Sequence, residues 1–169
     1  MLRRRRLLQQ LRVHHADALN WALICCDYDR EMAGDALQTV YVKVLEGNAR
    51  FAGRAMLRTW LLGVVRNTAR EVRRNNVALL VPLPDKTARQ SEMSGSDVID
   101  RAMDELSDMQ RQVIYLVFHR EFTLEGAASI LDANVGSIRT HYHRAKQKIG
   151  SRLASNDQSD VEKPYQSIL

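Results

Sequence analysis

The chain has 169 residues, 45% of them hydrophobic, and a formal net charge of +5. A chain of this length and composition can bury a sizeable core, which excludes an intrinsically disordered protein. The charge is unevenly spread, because residues 1–76 hold fourteen Lys and Arg against seven Asp and Glu, whereas residues 98–150 hold seven of each. Positive charge concentrated in the first half and in the last helix is expected of a protein that contacts a polyanion twice.

The first residues resemble the charged start of a secretory signal, but the apolar stretch that should follow is missing. Only Leu7 and Leu8 come before two glutamines. No apolar stretch reaches the length that crosses a membrane either. The sequence therefore predicts a soluble, cytoplasmic protein.

The two cysteines, Cys25 and Cys26, are neighbours in the chain. Adjacent residues make a poor structural disulfide, and a cytosolic protein keeps its thiols reduced. His14 and His15 lie one helical stretch upstream, so a metal or redox sensor is an alternative to plain packing. Nothing in the spacing favours that alternative, and we predict no metal site and no cofactor.

Apolar residues at steps of three and four predict three helices in the first half of the chain. The first covers residues 11–25, the second starts near Ala33 and stops at Gly47, and the third covers residues 55–75. The outer face of the second helix carries Asp35 and Gln38. A solvated surface would carry the same residues, so this helix alone does not identify a partner.

The third helix presents arginines on the side opposite its apolar stripe. At 100° per residue, four of them fall together: Arg66, Arg70, Arg73 and Arg74. Because Glu71 is the only acid among them, the row is a candidate for tracking nucleic-acid phosphates. Trp60 and Asn67 border the apolar stripe. Trp60 fits either stacking on an unpaired base or a place at the edge of the core.

Residues 77–97 break the helical pattern with two prolines and a small, polar stretch, which predicts a linker. A second bundle follows over residues 98–153, where Ser107 and Gln110 fit a capping box. Residues 154–169 show no periodicity, so we predict a disordered tail. The predicted fold is all-α, with small helical domains over residues 1–76 and 98–153 joined by a flexible linker.

The stretch from Thr123 to Lys148 predicts a helix-turn-helix. Thr123 can cap a short apolar helix, Asp132 lies in the turn, and Asn134 can cap the second helix. The outer face of that second helix is polar and cationic: Ser137, Arg139, Thr140, His143, Arg144 and Lys146. Two helices with so tight a turn place the second one where a major groove could take it, although a solvated face on a helical bundle would look similar.

Taken together, these elements resemble the extracytoplasmic-function sigma factors of bacterial RNA polymerase over residues 13–153. The segment with Asp35, Gln38 and Tyr41 is similar to the family's segment that binds the clamp of the polymerase largest subunit. A second set of residues is similar to the part that melts and reads the minus-ten promoter element. This set contains Arg58, Trp60, Arg66, Asn67, Arg70, Arg73 and Arg74. Residues 106–114 and 135–145 resemble the domain that reads the minus-thirty-five element.

The resemblance implies a promoter-specificity subunit whose partners are core RNA polymerase and promoter DNA, and it leaves open whether an anti-sigma factor binds as well. We expect no enzymatic activity, since His141 and His143 have no acidic partner at a catalytic spacing. Two other classes remain open. A helix-turn-helix repressor or activator that is not a polymerase subunit leaves the arginine row unexplained, and an interaction protein without a DNA role leaves the last helix unexplained too.

Overall fold

The computed structural model describes residues 2–78 and 102–161, and every regular element in these two ranges is a helix. The first range contains α1 (Leu2–Val13), α2 (His15–Cys25), α3 (Arg30–Glu46) and α4 (Leu57–Ala78). The second contains α5 (Asp108–Ile114), continued by a π-helical turn (Tyr115–His119), then α6 (Leu124–Leu131) and α7 (Val135–Val161). The predicted all-α fold with a helix-turn-helix in the second half is confirmed.

Two helix boundaries in the first half differ from those predicted. The helix expected over residues 11–25 is interrupted at His14, so Leu11 belongs to α1. At the other end, α4 continues to Ala78, past its predicted end at Asn75 and past the limit of 76 predicted for the first domain. The rest of the predicted linker, residues 79–97, lies outside the described ranges.

The prediction of disorder after residue 153 is wrong for residues 154–161, which continue α7 as far as Val161. Once a helix is nucleated, each residue added at its end forms one more backbone hydrogen bond, so a helix can extend beyond its packed apolar face. No proline interrupts the sequence before Pro164. The last part of the predicted tail, residues 162–169, lies outside the described ranges.

Trp21 of α2 is the largest fully buried side chain in the described part of the chain. Its indole N–H donates a hydrogen bond to the carbonyl of Leu62 in α4, with 2.9 Å between the two heavy atoms. Its ring stacks on Tyr115 of the second domain, with 5.6 Å between ring centroids. Trp21 therefore joins both domains, and the sequence analysis did not identify it.

The two predicted domains share one apolar core. Leu61 and Val65 of α4 belong to the same buried cluster as Leu116 and Ile130 of the second domain. Gly63 lies where α4 crosses α6, since a Cβ added there would be 3.8 Å from the backbone carbonyl of Ile130. The domains are therefore in direct contact. The sequence analysis predicted a flexible linker between them but did not predict this contact.

The helix caps predicted from local sequence are confirmed. Ser107 and Gln110 form the reciprocal capping box at the start of α5, with side chain to backbone distances of 3.4 and 3.1 Å. Gly47 ends α3 in the left-handed region, with φ of 82°. In the described ranges, no helix combines the length and apolar character that a membrane span requires.

Candidate nucleic-acid interface

The helix-turn-helix is built by three local devices that the sequence predicted. The hydroxyl of Thr123 accepts a hydrogen bond from the backbone N–H of Gly126 at 3.1 Å, which caps α6. Asp132 ends α6 in the left-handed conformation, with φ of 45°. The side-chain oxygen of Asn134 accepts from the backbone N–H of Ser137 at 2.7 Å, which caps α7. These devices set the angle at which α7 leaves the turn.

The outer face of α7 is exposed and cationic, as predicted. Ile138 and Ala145 are buried on its inner side, which holds the helix to the domain. Of the six residues predicted to read DNA, Ser137 is half-buried and five are exposed: Arg139, Thr140, His143, Arg144 and Lys146. Because the start of a helix carries a partial positive charge, this end of α7 suits the negative potential of a DNA groove.

Arg70 and Arg74 of α4 are exposed, as the arginine row predicted, but Arg66 is not. The Arg66 side chain is only 5% exposed, and its Nε donates to the side-chain oxygen of Gln112 at 3.2 Å. Burial, and then the neighbouring charge of Arg70, lowers the pKa of Arg66 from its usual range. The prediction that Arg66 lies on an exposed face is therefore wrong in this arrangement of the domains.

Arg73 is also engaged by the second domain. Its guanidinium donates to the carboxylate of Asp108 at 2.9 Å and to the backbone carbonyl of Cys25 at 3.1 Å. Helical periodicity places Arg73 opposite the apolar stripe, but it does not show which neighbour covers that side. The predicted row is therefore divided: Arg70 and Arg74 are exposed, whereas Arg66 is buried and Arg73 is partly exposed and paired.

Arg58, at the start of α4, is held in a similar way. Its Nε donates to the carboxylate of Asp17 on α2 at 3.0 Å, and its guanidinium lies over the ring of Phe122, 4.8 Å from the centroid. Asn67, by contrast, is exposed. The Asn67 side chain therefore remains a predicted contact with the minus-ten element.

The predicted DNA contact Trp60 is half-buried and packs against Phe51 in the loop that precedes α4. The ring centroids are 5.3 Å apart at an interplanar angle of 51°, and Phe51 is 36% exposed. Arg50 and Arg54, on either side of Phe51, are exposed. A partly exposed aromatic pair near two cations suits the stacking of one unpaired base. The sequence analysis missed Phe51. An aromatic residue between two arginines in a predicted loop is the sequence feature by which it could have been identified.

The outer face of α3 is both polar and apolar. Asp35 and Gln38 are exposed, as predicted. Val42 and Leu45 continue the same helical face at steps of four and three, and they are 49% and 39% exposed. Exposed apolar residues beside polar ones are compatible with a protein contact and also with an ordinary surface, so this face does not by itself identify a partner.

Tyr41 differs from the other predicted polymerase contacts because it faces α2. Its hydroxyl lies 2.7 Å from the Nδ1 atom of His15, and the two rings stack with 5.9 Å between centroids. Partial burial raises the pKa of Tyr41 above its usual range. The Tyr41 side chain therefore supports the orientation of α3 against α2, and its contact with polymerase stays a prediction.

Cys25 and Cys26 are both buried and free. Burial raises the pKa of the Cys26 thiol to about 12 and also raises that of Cys25. A reactive thiol needs a lowered pKa and exposure, so these positions favour packing over redox chemistry. Across residues 2–78 and 102–161, no three His, Cys, Asp or Glu side chains are grouped so as to hold a metal ion.

A helical protein with a helix-turn-helix whose second helix exposes a cationic face belongs to the class of DNA-binding proteins. Residues 102–149 match the family model described as Sigma-70, region 4. This range contains α5, α6 and the predicted reading face of α7.

Two curated relatives from Bacillus subtilis match most of the chain. The RNA polymerase sigma factor YlaC is 23% identical over 161 residues, which cover 88% of this chain and 92% of the relative. The ECF RNA polymerase sigma factor SigX is 29% identical over 133 residues, which cover 69% and 68%. Together with the region 4 match, they support the resemblance of this chain to the extracytoplasmic-function (ECF) sigma factors of the sigma-70 family.

Solved structures share the fold. The sigma factor RpoE of Bartonella quintana, in complex with the anti-sigma factor NepR, superposes with a TM-score of 0.66 at 21% identity, covering 86% of this chain and 95% of that one. CnrH in complex with the cytosolic domain of CnrY has a TM-score of 0.62 at 22% identity, covering 89% of each chain. The two structures show the fold, and together with the region 4 match and the two relatives they confirm the resemblance predicted from the sequence.

Proposed function

We propose that the chain directs core RNA polymerase to promoters, with its second domain on the minus-thirty-five element and its first domain on the clamp and the minus-ten element. The observation that carries this function is the coincidence of the region 4 match with an exposed cationic face on α7. Region 4 reads DNA as part of a polymerase subunit. A regulator outside polymerase is therefore the less favoured alternative.

The same proposal assigns binding rather than catalysis to the chain. Sigma factors are typically regulatory subunits, so we infer that this protein is not an enzyme and that it acts in the cytoplasm, where polymerase and promoter DNA are found. The RpoE structure holds an anti-sigma factor. On that likeness we infer that an anti-sigma factor also binds this chain.

The function is tested by transcription in vitro with purified core RNA polymerase and the full chain on a library of promoter fragments. We expect transcripts to start from a subset of fragments only when the chain is present, and we expect the chain to co-purify with core. Binding to duplex DNA without core, and no specific transcript with core, would instead favour the helix-turn-helix regulator.

We predict that Asp35 and Gln38 contact polymerase, since the inner face of α3 is already buried in the core. Replacing both with Ala should weaken core binding about tenfold or more, because losing one hydrogen bond to a charged group costs about 1.5–3 kcal/mol. The measurement is the affinity of labelled chain for core. The control is Gln9→Ala with Asn20→Ala, two exposed polar residues on α1 and α2. Equal affinity of the two double variants, with normal helicity, would contradict the predicted contact.

We predict that Trp60 contributes more to strand opening than to stability. Trp60→Ala should reduce open-complex formation on a duplex promoter, since stacking of a base on an aromatic ring is worth about 1–3 kcal/mol. A pre-melted promoter should partly rescue the variant, and Trp60→Phe should retain part of the activity. A large fall in melting temperature without rescue by the pre-melted promoter would assign Trp60 to the core instead.

A further inference from the structure

The first helix, α1, carries four consecutive arginines that the contacts described above leave without a role. This N-terminal arginine run covers residues 3–6, near the start of the helix. Residues 1–16 contain five arginines and no Asp or Glu, so no residue of α1 can neutralise the run. Like charges three residues apart on a helix, such as Arg3 and Arg6, repel each other. An anionic partner beside α1 would relieve this repulsion.

The helix that carries the run is attached to the folded core. Leu11 is 2% exposed and belongs to the core cluster, and Leu7, one turn earlier, packs against the same cluster. Gln9, Gln10 and Arg12 are exposed. Because Leu7 and Leu11 are packed on protein, this side of α1 is not free to enter a lipid surface, as the apolar face of an amphipathic membrane helix is. The run is therefore held at a fixed place beside the first domain.

The other end of α1 lies beside the predicted minus-ten contacts. Val13 ends α1, and His15 begins α2. Asp17, in the first turn of α2, accepts a hydrogen bond at 3.0 Å from Arg58, two residues before Trp60. At a rise of 1.5 Å per residue, the run lies about 10–15 Å along α1 from this junction, the length of about three to four base pairs. DNA held at Trp60 extends beyond this distance, so its phosphates can reach the run.

We infer that the N-terminal arginine run binds phosphates of the promoter next to the minus-ten element, as a DNA contact additional to those of α4 and α7. The inference rests on the function proposed above. Guanidinium groups form paired hydrogen bonds with phosphate oxygens, and phosphates carry no sequence information. The run should therefore raise the affinity for every promoter and its dependence on salt, and it should leave the preference among promoters unchanged.

The test replaces the whole run in the full-length chain. The Gln variant combines Arg3→Gln, Arg4→Gln, Arg5→Gln and Arg6→Gln, and the Lys variant, its matched control, replaces the same four arginines with Lys. Gln and Lys have helix propensities close to that of Arg, so α1 should be retained, which circular dichroism checks.

We expect holoenzyme with the Gln variant to bind a promoter fragment about tenfold or more weakly than wild type at low salt. The slope of log affinity against log salt should fall by about two or more, since each phosphate contact contributes about 0.9 to it. The Lys variant keeps the charge and should keep most of the affinity and of the slope.

A second control tests whether the position of the charge matters. Arg12→Gln removes one exposed cation from the same helix, outside the run and next to the buried Leu11. It should leave the salt dependence of promoter binding unchanged. If it lowers the slope by as much per charge as the Gln variant does, net charge alone explains the effect of the run, which would contradict the inference.

A measurement without polymerase separates this inference from the proposed function. The free full-length chain is titrated with a fluorescent DNA duplex of random sequence at several low salt concentrations. We expect the Gln variant to lose affinity and salt dependence relative to the Lys variant here too, because phosphate contacts do not depend on sequence. A wild-type chain that gives no specific transcript with core would contradict the proposed function and would not change this comparison.

Two further results would overturn the inference. Equal salt dependence of the Gln and Lys variants, with and without core, would show that the run does not bind DNA. Binding of the wild-type chain, but not of the Gln variant, to vesicles of phosphatidylglycerol and phosphatidylcholine, with equal DNA affinity of the two chains, would assign the run to a membrane surface instead.

Discussion

The variant Trp21→Ala should lower the free energy of unfolding by about 3–5 kcal/mol, the cost of deleting a large aromatic side chain from a packed core. Trp21 is fully buried on α2. The substitution also removes the hydrogen bond to the carbonyl of Leu62 and the stacking on Tyr115. Because a typical domain is stable by only about 5–15 kcal/mol, this loss is a large part of the total.

Urea unfolding followed by circular dichroism measures the effect. The matched control is Trp60→Ala, the same change at a half-buried position, for which we expect a smaller loss of about 1–2 kcal/mol. Trp21→Phe, which keeps a ring but loses the indole N–H, should fall between wild type and Trp21→Ala. Similar losses at the two tryptophans would mean that Trp21 is not the centre of the shared core.

Arg139→Ala should weaken promoter binding by about 1–3 kcal/mol and relax the preference for one base in the minus-thirty-five element. Arg139 lies in the second turn of α7, on its exposed face, close to the end that would enter the groove. A side chain there can reach a base edge. Contacts to base edges distinguish sequences, whereas contacts to phosphates fix position.

Arg144→Ala should behave differently from Arg139→Ala. Arg144 lies further along α7, in a surface groove that is also lined by Lys148, Arg152, Glu105 and Gln110. A cation in that position suits a phosphate. Its loss should weaken binding to all promoters alike and reduce the salt dependence by about one phosphate contact.

The measurement for both arginines is binding of the holoenzyme to a panel of minus-thirty-five variants at several salt concentrations. Arg12→Ala, which removes the same charge from an exposed position on α1, serves as the control. If both α7 variants weaken the affinity for every promoter by the same factor, α7 binds DNA without sequence specificity. Specificity would then come from the first domain or from DNA shape.

The sequence by itself determined the features that depend on near neighbours in the chain. Thr123, Asn134 and the pair Ser107 and Gln110 cap their helices, and Asp132 adopts the left-handed turn, because a side chain reaches a backbone group only three residues away. The outward cationic face of α7 follows from the same helical spacing. The capping box and most of this cationic face lie in residues 106–114 and 135–145, two of the segments that resemble the sigma-70 family.

Only the tertiary structure decided which sides of the helices are covered. Periodicity placed Arg66 and Arg73 away from the apolar stripe, but they form hydrogen bonds with Gln112 and Asp108, which lie 46 and 35 residues away in sequence. Trp21 was missed for the same reason, since its burial depends on Tyr115. The spacing of residues along a helix predicts which face is apolar. It does not predict which distant segments of the chain pack against the other faces. Which of the predicted DNA contacts are exposed therefore depends on how the second domain packs against α4.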